Sequence, residues 1–239
     1  MTRMLFRDDP YMRDAQARVV AHTAEGGVVL EATVFYPTGG GQPGDSGWLE
    51  WGTSRLPIAT AVKGEGRQIV LVPSEPVALP PVGAHLMQHL DWDRRHKHMR
   101  VHTALHLLSV AVPFAVTGGA ISATYGRLDF NMPDAPDDRE ALEQALNDFV
   151  EQDARVSDGW ISEAELVAAP QLVRTMAVKP PRGAGDIRLV RIGEESDWID
   201  LQPCSGTHVA RTGEIGALRL GKIEKKGGMN RRIYLHLDS

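Results

Sequence analysis

The stretch that decides the fold is Arg94-Arg95-His96-Lys97-His98-Met99-Arg100-Val101-His102-Thr103-Ala104-Leu105-His106-Leu107-Leu108. Its apolar residues recur at the 3.6-residue spacing of a helix that faces a core. They are Val101, Ala104, Leu105 and Leu108. Pro113 follows shortly after and ends the run, because proline cannot continue a helix. The sequence therefore predicts a central helix.

Two histidines of this helix stand four residues apart. His102 and His106 project from the same face about one turn apart, which is the geometry that two metal ligands on one helix need. The same spacing also occurs when histidines simply lie at a surface or in a hydrogen-bonded core. The pair alone leaves both interpretations open.

Composition limits the class of protein. The chain has 239 residues, 42% hydrophobic and 24% charged, which is typical of a globular protein of one large domain or two small ones. No basic region followed by an apolar stretch opens the chain, and no apolar run approaches the length of a membrane span. The single cysteine, Cys204, excludes an internal disulfide and fits a reducing compartment. We expect a cytoplasmic protein with no membrane association and no obligate protein partner.

Residues 1–90 predict a small β-barrel-like domain. Short runs rich in valine, isoleucine and aromatic residues alternate with glycine- and proline-bearing turns, as in a small barrel or sandwich. The predicted strands are 18–23, 27–36, 46–51, 56–63 and 68–72.

A glycine-rich loop interrupts this domain at residues 36–47, Tyr-Pro-Thr-Gly-Gly-Gly-Gln-Pro-Gly-Asp-Ser-Gly. Glycine permits positive φ and a close approach of another group to the backbone, so such a loop can line a ligand site. Gly39, Gly40 and Gly41 lead to Gln42, whose amide could donate and accept hydrogen bonds there. A flexible surface turn is the alternative.

Residues 91–239 predict an α+β domain with an antiparallel sheet around the central helix. A second, amphipathic helix is expected at 137–154, with Asp137 and Asp138 at its capping end. An exposed loop is expected at 179–185. The predicted strands are 120–132, 160–167, 186–192 and a closing hairpin of 216–223 with 230–237.

Cys204-Ser205-Gly206-Thr207-His208 places a thiol and an imidazole four residues apart after a proline. Cys204 and His208 could form a nucleophile and base pair, or Cys204 could be an inert buried residue. Together with His102 and His106 they make one thiolate and three imidazoles, a suitable tetrahedral set for Zn²⁺. The wide separation in sequence is unlike a zinc finger, so the metal would belong to a formed fold.

The charges are unevenly distributed along the chain. The net charge of −5 argues against a protein that coats nucleic acid, and acidic residues concentrate between residues 134 and 165. The C-terminal part is locally basic, and a local basic face can still meet a phosphate backbone. Its candidate tRNA-binding residues are Arg211, Lys222, Lys225, Lys226, Arg231 and Arg232.

These motifs, in this order, resemble one known family. The histidine-bearing helix and the Cys204–His208 segment look like the editing domain of alanyl-tRNA synthetases, and still more like its free-standing relatives of AlaX type. The glycine-rich loop is similar to that of the longer AlaX members, and residues 222–233 resemble their closing strands. The resemblance covers the chain from about residue 30 to the C-terminus.

The resemblance implies a trans-editing hydrolase that deacylates tRNA(Ala) mischarged with serine, with glycine as a second candidate substrate, and that needs no ATP. By position, His102, His106, Cys204 and His208 would bind zinc. Thr103 would offer a hydroxyl to the aminoacyl group, and Gln42 with Gly39, Gly40 and Gly41 would form the pocket wall. A site that accepts serine and spares alanine should hydrogen-bond the extra hydroxyl, since buried polar groups left unpaired penalise alanine.

The catalytic group stays unassigned. Four protein ligands would close a zinc site, so either one is loose and water enters, or the zinc orients the substrate while another group handles the proton. The absence of glutamate beside His102 disfavours a metalloprotease. The alternative function is a non-catalytic tRNA- or RNA-binding module with a structural zinc site.

Overall fold

The computed structural model describes residues 1–173 and 185–238. The chain divides into two compact units, residues 1–98 and 99–239, whereas the sequence placed the division at 90/91. Among the described residues, none of the helices combines the length and the apolar character needed to cross a membrane.

The first unit contains a closed six-stranded barrel in the order β2-β3-β7-β6-β5-β8, with all neighbours antiparallel. A short parallel pair, β1 with β4, lies outside it. The elements are β1 (Arg3–Met4), α1 (Leu5–Asp8), β2 (Asp14–His22), β3 (Val28–Leu30), β4 (Ala32–Thr33), β5 (Gly47–Trp51), β6 (Ser54–Lys63), β7 (Ile69–Pro73) and β8 (His85–Leu90).

Alternation of buried and exposed side chains closes this barrel. In β2, Ala17 and Val19 are buried between exposed neighbours, and in β6, Leu56 and Ile58 repeat the pattern. A period of two places every second side chain inside, where it contributes to one core. The predicted barrel is confirmed.

The buried side chain of Gln88 explains two differences from the predicted strands, the early end of the strand predicted at 27–36 and the failure to predict β8. The sequence predicted one strand at 27–36, but the structure divides it at Glu31 into β3 of the barrel and β4, which pairs with β1 and ends at Thr33. Beyond it, the Gln88 side chain accepts hydrogen bonds from the Thr33 hydroxyl (2.7 Å) and the Val34 N–H (3.3 Å). A polar side chain therefore replaces a strand partner. The same buried glutamine conceals the apolar alternation of β8, which the sequence analysis missed.

The glycine-rich loop owes most of its glycines to backbone geometry. Gly39 and Gln42 exchange two backbone hydrogen bonds of 3.0 Å across a turn whose central residues, Gly40 and Gly41, have φ of +58° and +83°. Positive φ at both central positions defines the tight hairpin turn that favours glycine. At Gly44, a Cβ would lie 2.2 Å from the carbonyl oxygen of Ala61, so only glycine fits there.

Helix α2 (Trp92–Ala111) is the predicted central helix, and the division between the units falls inside it. Asp91 begins it, because the carboxylate accepts a hydrogen bond from the Arg94 N–H (3.2 Å). Every residue from 101 to 109 is buried, so this part of the helix lies in the core on all sides rather than on the single predicted stripe.

The second unit contains two antiparallel sheets, β14-β15-β10-β9 and β11-β12-β13. In α3 the predicted cap is confirmed, since the Asp138 carboxylate accepts from the Ala141 N–H. The remaining elements are β9 (Val116–Ile121), β10 (Tyr125–Asn131), α3 (Arg139–Glu151), β11 (Val156–Ile161), α4 (Glu163–Ala168), a 3-10 turn at Pro170–Leu172, β12 (Ile187–Gly193), β13 (Trp198–Pro203), a 3-10 turn at Thr212–Ile215, β14 (Leu218–Gly227) and β15 (Asn230–Leu237).

The structure corrects three predictions in this unit. The single strand predicted at 120–132 is the hairpin of β9 and β10. The strand predicted at 160–167 stops at Ile161, because Ser162 and Glu165 form a capping box that begins α4. Strand β13 was missed. The loop predicted at 179–185 lies outside the described residues except for Gly185.

Candidate metal centre

Four side chains from two distant parts of the second unit converge on one point. His102 and His106 come from α2, and Cys204 and His208 from the loop that follows β13. One ligand atom from each lies within 4.8 Å of the other three. The three histidines are buried and Cys204 is half-buried.

The spacing of these atoms suits a tetrahedral ion. Cys204 Sγ lies 3.5 Å from His102 Nε2 and 3.3 Å from His208 Nε2. In a tetrahedral zinc site with ordinary Zn–S and Zn–N bonds, sulfur and nitrogen ligands are about 3.5 Å apart. The pairs of Cys204 with His102 and with His208 are therefore already close to the separation that bound zinc requires.

Arg188, on β12, holds the loop that carries Cys204. Its guanidinium donates to the carbonyl oxygens of Cys204 (3.1 Å) and Gly206 (3.0 Å), and it is buried. The Gly206 N–H in turn points at Cys204 Sγ (3.4 Å) and donates to it. A hydrogen bond from the backbone to the sulfur favours the thiolate, which is the form that binds metal.

A buried carboxylate contacts the second helical histidine. Asp200, on β13, accepts a hydrogen bond from His106 Nδ1 at 2.8 Å. Gln202, two residues further along the strand, donates to the same carboxylate oxygen (2.7 Å) and to the Ser109 hydroxyl (3.2 Å). This arrangement leaves His106 Nε2 as the ring nitrogen available to the centre.

The Thr103 hydroxyl is fully used inside the protein. It donates to the Met99 carbonyl oxygen (3.0 Å) and accepts from the Val209 N–H (3.3 Å), and it lies 3.1 Å from His208 Nδ1. Since its one hydrogen goes to Met99, it accepts from the N–H of His208 Nδ1. The side chain is not exposed at all. The sequence analysis assigned this hydroxyl to the aminoacyl group. In the structure the hydroxyl contacts the His208 ring.

The protonation of the four groups follows from their surroundings. Burial alone would raise the pKa of the Cys204 thiol, but the electrostatic and hydrogen-bond interactions with the neighbouring histidines, His102 first among them, outweigh it and hold that pKa well below its ordinary value. Burial, together with the charge of His102, lowers the pKa of His208. For His106 burial acts in the same direction, yet hydrogen bonds with Asp200 and Cys204 raise its pKa to about 10.

These shifts have two consequences for metal binding, one for Cys204 and His208 and one for His106. Cys204 is a thiolate and His208 is neutral, which are the forms that coordinate a metal. His106 carries a proton that an incoming ion must displace. The donor set of one sulfur and three nitrogens matches the preference of Zn²⁺. The residues present therefore fit zinc.

The predicted pocket residues of the glycine-rich loop lie in the first unit. Gln42 is buried to 1% exposure, Gly39 is half-buried, and Gly40 and Gly41 are exposed at the tip of the turn. The Tyr36 hydroxyl donates to the Gly39 carbonyl oxygen (2.9 Å) and fixes the start of the turn.

The predicted basic residues differ in how they meet solvent. Lys222, Lys225 and Lys226 are exposed on β14. Glu224 accepts hydrogen bonds from Lys222 (2.6 Å) and Lys226 (2.9 Å), which lower the pKa of Glu224 to about 2.

The arginines of the predicted set are paired within the protein. Arg211 pairs with Asp153 (2.6 Å) and Arg232 with Asp129 (2.7 Å). Arg231 is buried and donates to the Gly227 carbonyl oxygen (2.9 Å). The sequence analysis placed Arg231 on an exposed basic face. The structure corrects this, because Arg231 lies on the buried side of β15 with Ile233 and Leu235.

Sequence reasoning missed the residues that orient the ligands. Asp200, Gln202, Ser109 and Arg188 carry no motif of their own. Asp200 and Gln202 occupy alternate positions of β13 and so project from one face, and that alternation just before Cys204 is the signal that could have found them.

Comparison with known proteins gives the family. The profile described as the threonyl and alanyl tRNA synthetase second additional domain matches residues 187–234, and that of class II (A) tRNA synthetases matches residues 10–94. The chain is 31% identical to the alanyl-tRNA editing protein AlaX-M of Methanosarcina acetivorans over 99% of both chains. It is 33% identical to AlaX-M of Saccharolobus solfataricus over 98% of both.

The longer relatives contain the same region as a part. The chain is 33% identical to the alanine–tRNA ligase of Pyrobaculum arsenaticum over 94% of its own length, but spans only 25% of that ligase. Both matched profiles describe regions of class II or threonyl and alanyl tRNA synthetases. The chain belongs to the AlaX-M family of alanyl-tRNA editing proteins.

Proposed function

We propose that this chain is a zinc-dependent trans-editing hydrolase, which cuts the ester between serine or glycine and tRNA(Ala) in the cytoplasm. The observation that carries the proposal is the convergence of His102, His106, Cys204 and His208 within 4.8 Å of one another. The central helix α2 is then the metal-bearing helix of an editing domain that follows the barrel.

The extent of similarity supports action in trans. The AlaX-M relatives named above match this chain over nearly their whole length, and their name describes editing of alanyl-tRNA. The matched ligase carries the same region within a chain about four times as long. We infer that the present chain, like the AlaX-M relatives, performs the editing step in trans.

The chain's own residues prepare the centre for this reaction. A zinc ion held there would polarise the ester carbonyl and stabilise the charge that develops on its oxygen. Arg188 fixes the Cys204 loop, and Thr103 fixes the His208 ring with Nε2 toward the centre. With these groups held by the fold, little reorganisation is needed when the ester arrives.

Selectivity for serine requires a partner for its hydroxyl. We propose that Gln42, with Gly39, Gly40 and Gly41, supplies the pocket wall that the family resemblance implies. In a site that binds serine, a buried protein group that loses its hydrogen bond when alanine takes the place of serine costs about 1–3 kcal/mol, and this penalty would favour serine. Thr103 contributes through the placement of His208 rather than by a free hydroxyl.

For tRNA we propose contact through the exposed lysines of β14, Lys222, Lys225 and Lys226, with Arg211 and Arg232 beside them in the chain's basic part. Side chains of this kind bind phosphates independently of the nucleotide sequence, and such binding weakens as salt rises.

Deacylation of a panel of charged tRNAs tests the function. Metal-free and zinc-reconstituted protein are each incubated with seryl-, glycyl- and alanyl-tRNA(Ala), with seryl-tRNA(Ser) as the control for tRNA identity. We expect the zinc form to release serine and glycine from tRNA(Ala) and to spare alanine. Zinc-bound protein that binds tRNA(Ala) yet releases no amino acid would be the RNA-binding module with a structural zinc.

A further inference from the structure

Asp200 contacts one of the four candidate metal ligands but is not itself one of them. It sits on β13 with its side chain fully buried, and its Oδ2 atom is 2.8 Å from His106 Nδ1. A buried carboxylate is costly unless it is paired and hydrogen-bonded. The hydrogen bond to His106 is therefore one of the interactions that must offset the cost of burying Asp200.

A closed set of hydrogen bonds fixes this carboxylate to the turn of α2 that carries His106. Gln202 donates one amide hydrogen to Asp200 Oδ2 (2.7 Å) and the other to the Ser109 hydroxyl (3.2 Å). Ser109 then donates to the carbonyl oxygen of His106 (2.8 Å). The 3.2 Å between Gln202 Nε2 and His106 Nδ1 is the separation of two donors that share one acceptor.

The consequence is a histidine whose ring can neither rotate nor change tautomer freely. With Nδ1–H donated to Asp200, the proton that a metal ion displaces from His106 is the one on Nε2, and the lone pair that binds the ion is then on Nε2. His208 is held in the same way, but by the neutral hydroxyl of Thr103. Of these two orienting groups, Asp200 alone brings a negative charge. Together with the Cys204 thiolate, it balances the two charges of a divalent ion.

We propose that Asp200 is a positioning residue of the metal centre: it fixes His106 with Nε2 turned to the ion and strengthens binding of a divalent cation through its buried negative charge. Gln202 and Ser109 hold Asp200 in place. The inference rests on the metal centre of the proposed function and extends it to residues outside the donor set.

Metal affinity tests this role independently of deacylation. Metal-free wild type, Asp200→Asn and Asp200→Ala are titrated with Zn²⁺ against a chromophoric chelator, and with Co²⁺ to record its visible spectrum. Loss of such an orienting group typically costs 10–100-fold in affinity. We expect about a 10-fold loss for Asn, whose amide oxygen still accepts from Nδ1, about 100-fold for Ala, and an altered cobalt spectrum in both.

Asp129→Asn is the matched control. Its carboxylate is also in the second unit but pairs with Arg127 and Arg232, so its loss should leave zinc affinity unchanged. Gln202→Met leaves the Asp200 carboxylate in place and removes its support, and should cause a smaller loss than Asp200→Asn. This variant decides the question if the Asp200 variants do not fold.

Two negative results have different meanings. Zinc affinity within twofold of wild type in Asp200→Asn, or in Gln202→Met where the former does not fold, overturns the role of Asp200 while the centre stands. Wild-type protein that binds neither Zn²⁺ nor Co²⁺ removes the centre itself, and the proposed mechanism with it.

Discussion

The Arg95 guanidinium and the Asp45 carboxylate form a salt bridge in which neither side chain is exposed to solvent. Arg95 Nε lies 3.0 Å from Asp45 Oδ1, and the other guanidinium nitrogens donate to the carbonyl oxygens of Pro10 (3.0 Å) and Val34 (2.7 Å). The pair joins the glycine-rich loop, to which Asp45 belongs, to the first half of α2. Through these contacts Arg95 holds three separate segments of the first unit together.

Breaking this pair from one side should destabilise the protein strongly. Asp45→Asn leaves the Arg95 charge buried and uncompensated, which typically costs about 3–5 kcal/mol. We expect a loss of that size in the free energy of unfolding, measured with urea. Asp45→Asn combined with Arg95→Met should recover part of it, because no buried charge remains. Equal losses in the single and double variants would mean that the charge is not what matters.

Removal of the thiolate should abolish metal binding and activity together. Cys204→Ala deletes the sulfur donor from the centre, and we expect zinc content per chain and serine release from seryl-tRNA(Ala) to fall in parallel. Metal analysis beside single-turnover deacylation checks this. Full activity in metal-free wild type would instead favour Cys204 and His208 as a nucleophile and base pair, whose atoms are 3.3 Å apart.

Substitutions of Thr103 test whether its hydroxyl orients the His208 ligand or binds the substrate. Thr103→Val removes the acceptor of His208 Nδ1 and of the Val209 N–H, so we expect weaker zinc binding and a stability loss of about 1–3 kcal/mol. Thr103→Ser keeps the hydroxyl and should behave as wild type. If Thr103→Val keeps its zinc affinity but begins to deacylate alanyl-tRNA(Ala), the hydroxyl serves the substrate.

The sequence predicted the donor residues because each pair is local. His102 with His106, and Cys204 with His208, are separated by four residues, and such spacings can be recognised without knowing the fold. Asp200 contacts His106 across 94 residues of sequence. The alternation of Asp200 and Gln202 just before Cys204 is the one local signal for these residues, and it does not say which histidine they contact; the hydrogen bond between Asp200 and His106 identifies the role of Asp200.

Two errors of the sequence analysis concern polar residues that are buried, Gln88 and Arg231. Gln88 satisfies the Val34 N–H in place of a neighbouring strand, and its burial hides β8. Arg231 was assigned to the surface by its charge, although Ile233 and Leu235 set the inward face of β15 at every second residue. Alternation was the more reliable guide there than residue type.

Charge reversal on β14 tests the tRNA surface. Lys225→Glu with Lys226→Glu should weaken binding of uncharged tRNA(Ala), and should reduce the dependence of log K on log salt by about one unit for each phosphate that the protein no longer neutralises. Fluorescence anisotropy over a salt series measures both. The control is Arg18→Glu with Arg67→Glu, an equal charge change on exposed residues of the first unit. An unchanged slope in the lysine variant would assign these residues to ordinary surface.

The buried His98 should make the protein sensitive to mild acid. Burial, reinforced by the charge of Arg94, lowers the pKa of His98 from 6.5 to about 4, so the folded protein resists a proton that the unfolded chain accepts. The unfolded state then binds more protons between pH 6.5 and 4, and stability must fall as the pH decreases through that window. One proton corresponds to a slope of at most about 1.4 kcal/mol per pH unit.

His98→Gln removes this titration and should flatten the decline. Urea unfolding of metal-free protein at pH 7, 6 and 5 measures the slope, with His85→Gln, a change at an exposed histidine, as the control. Other groups that titrate in this range contribute equally to all three proteins and cancel in the comparison. Above pH 7 the His98 ring is neutral in both the folded and the unfolded state, so its effect on the slope disappears there. Parallel curves for wild type and His98→Gln from pH 7 to 5 would show that His98 takes up its proton in the folded protein as readily as in the unfolded chain.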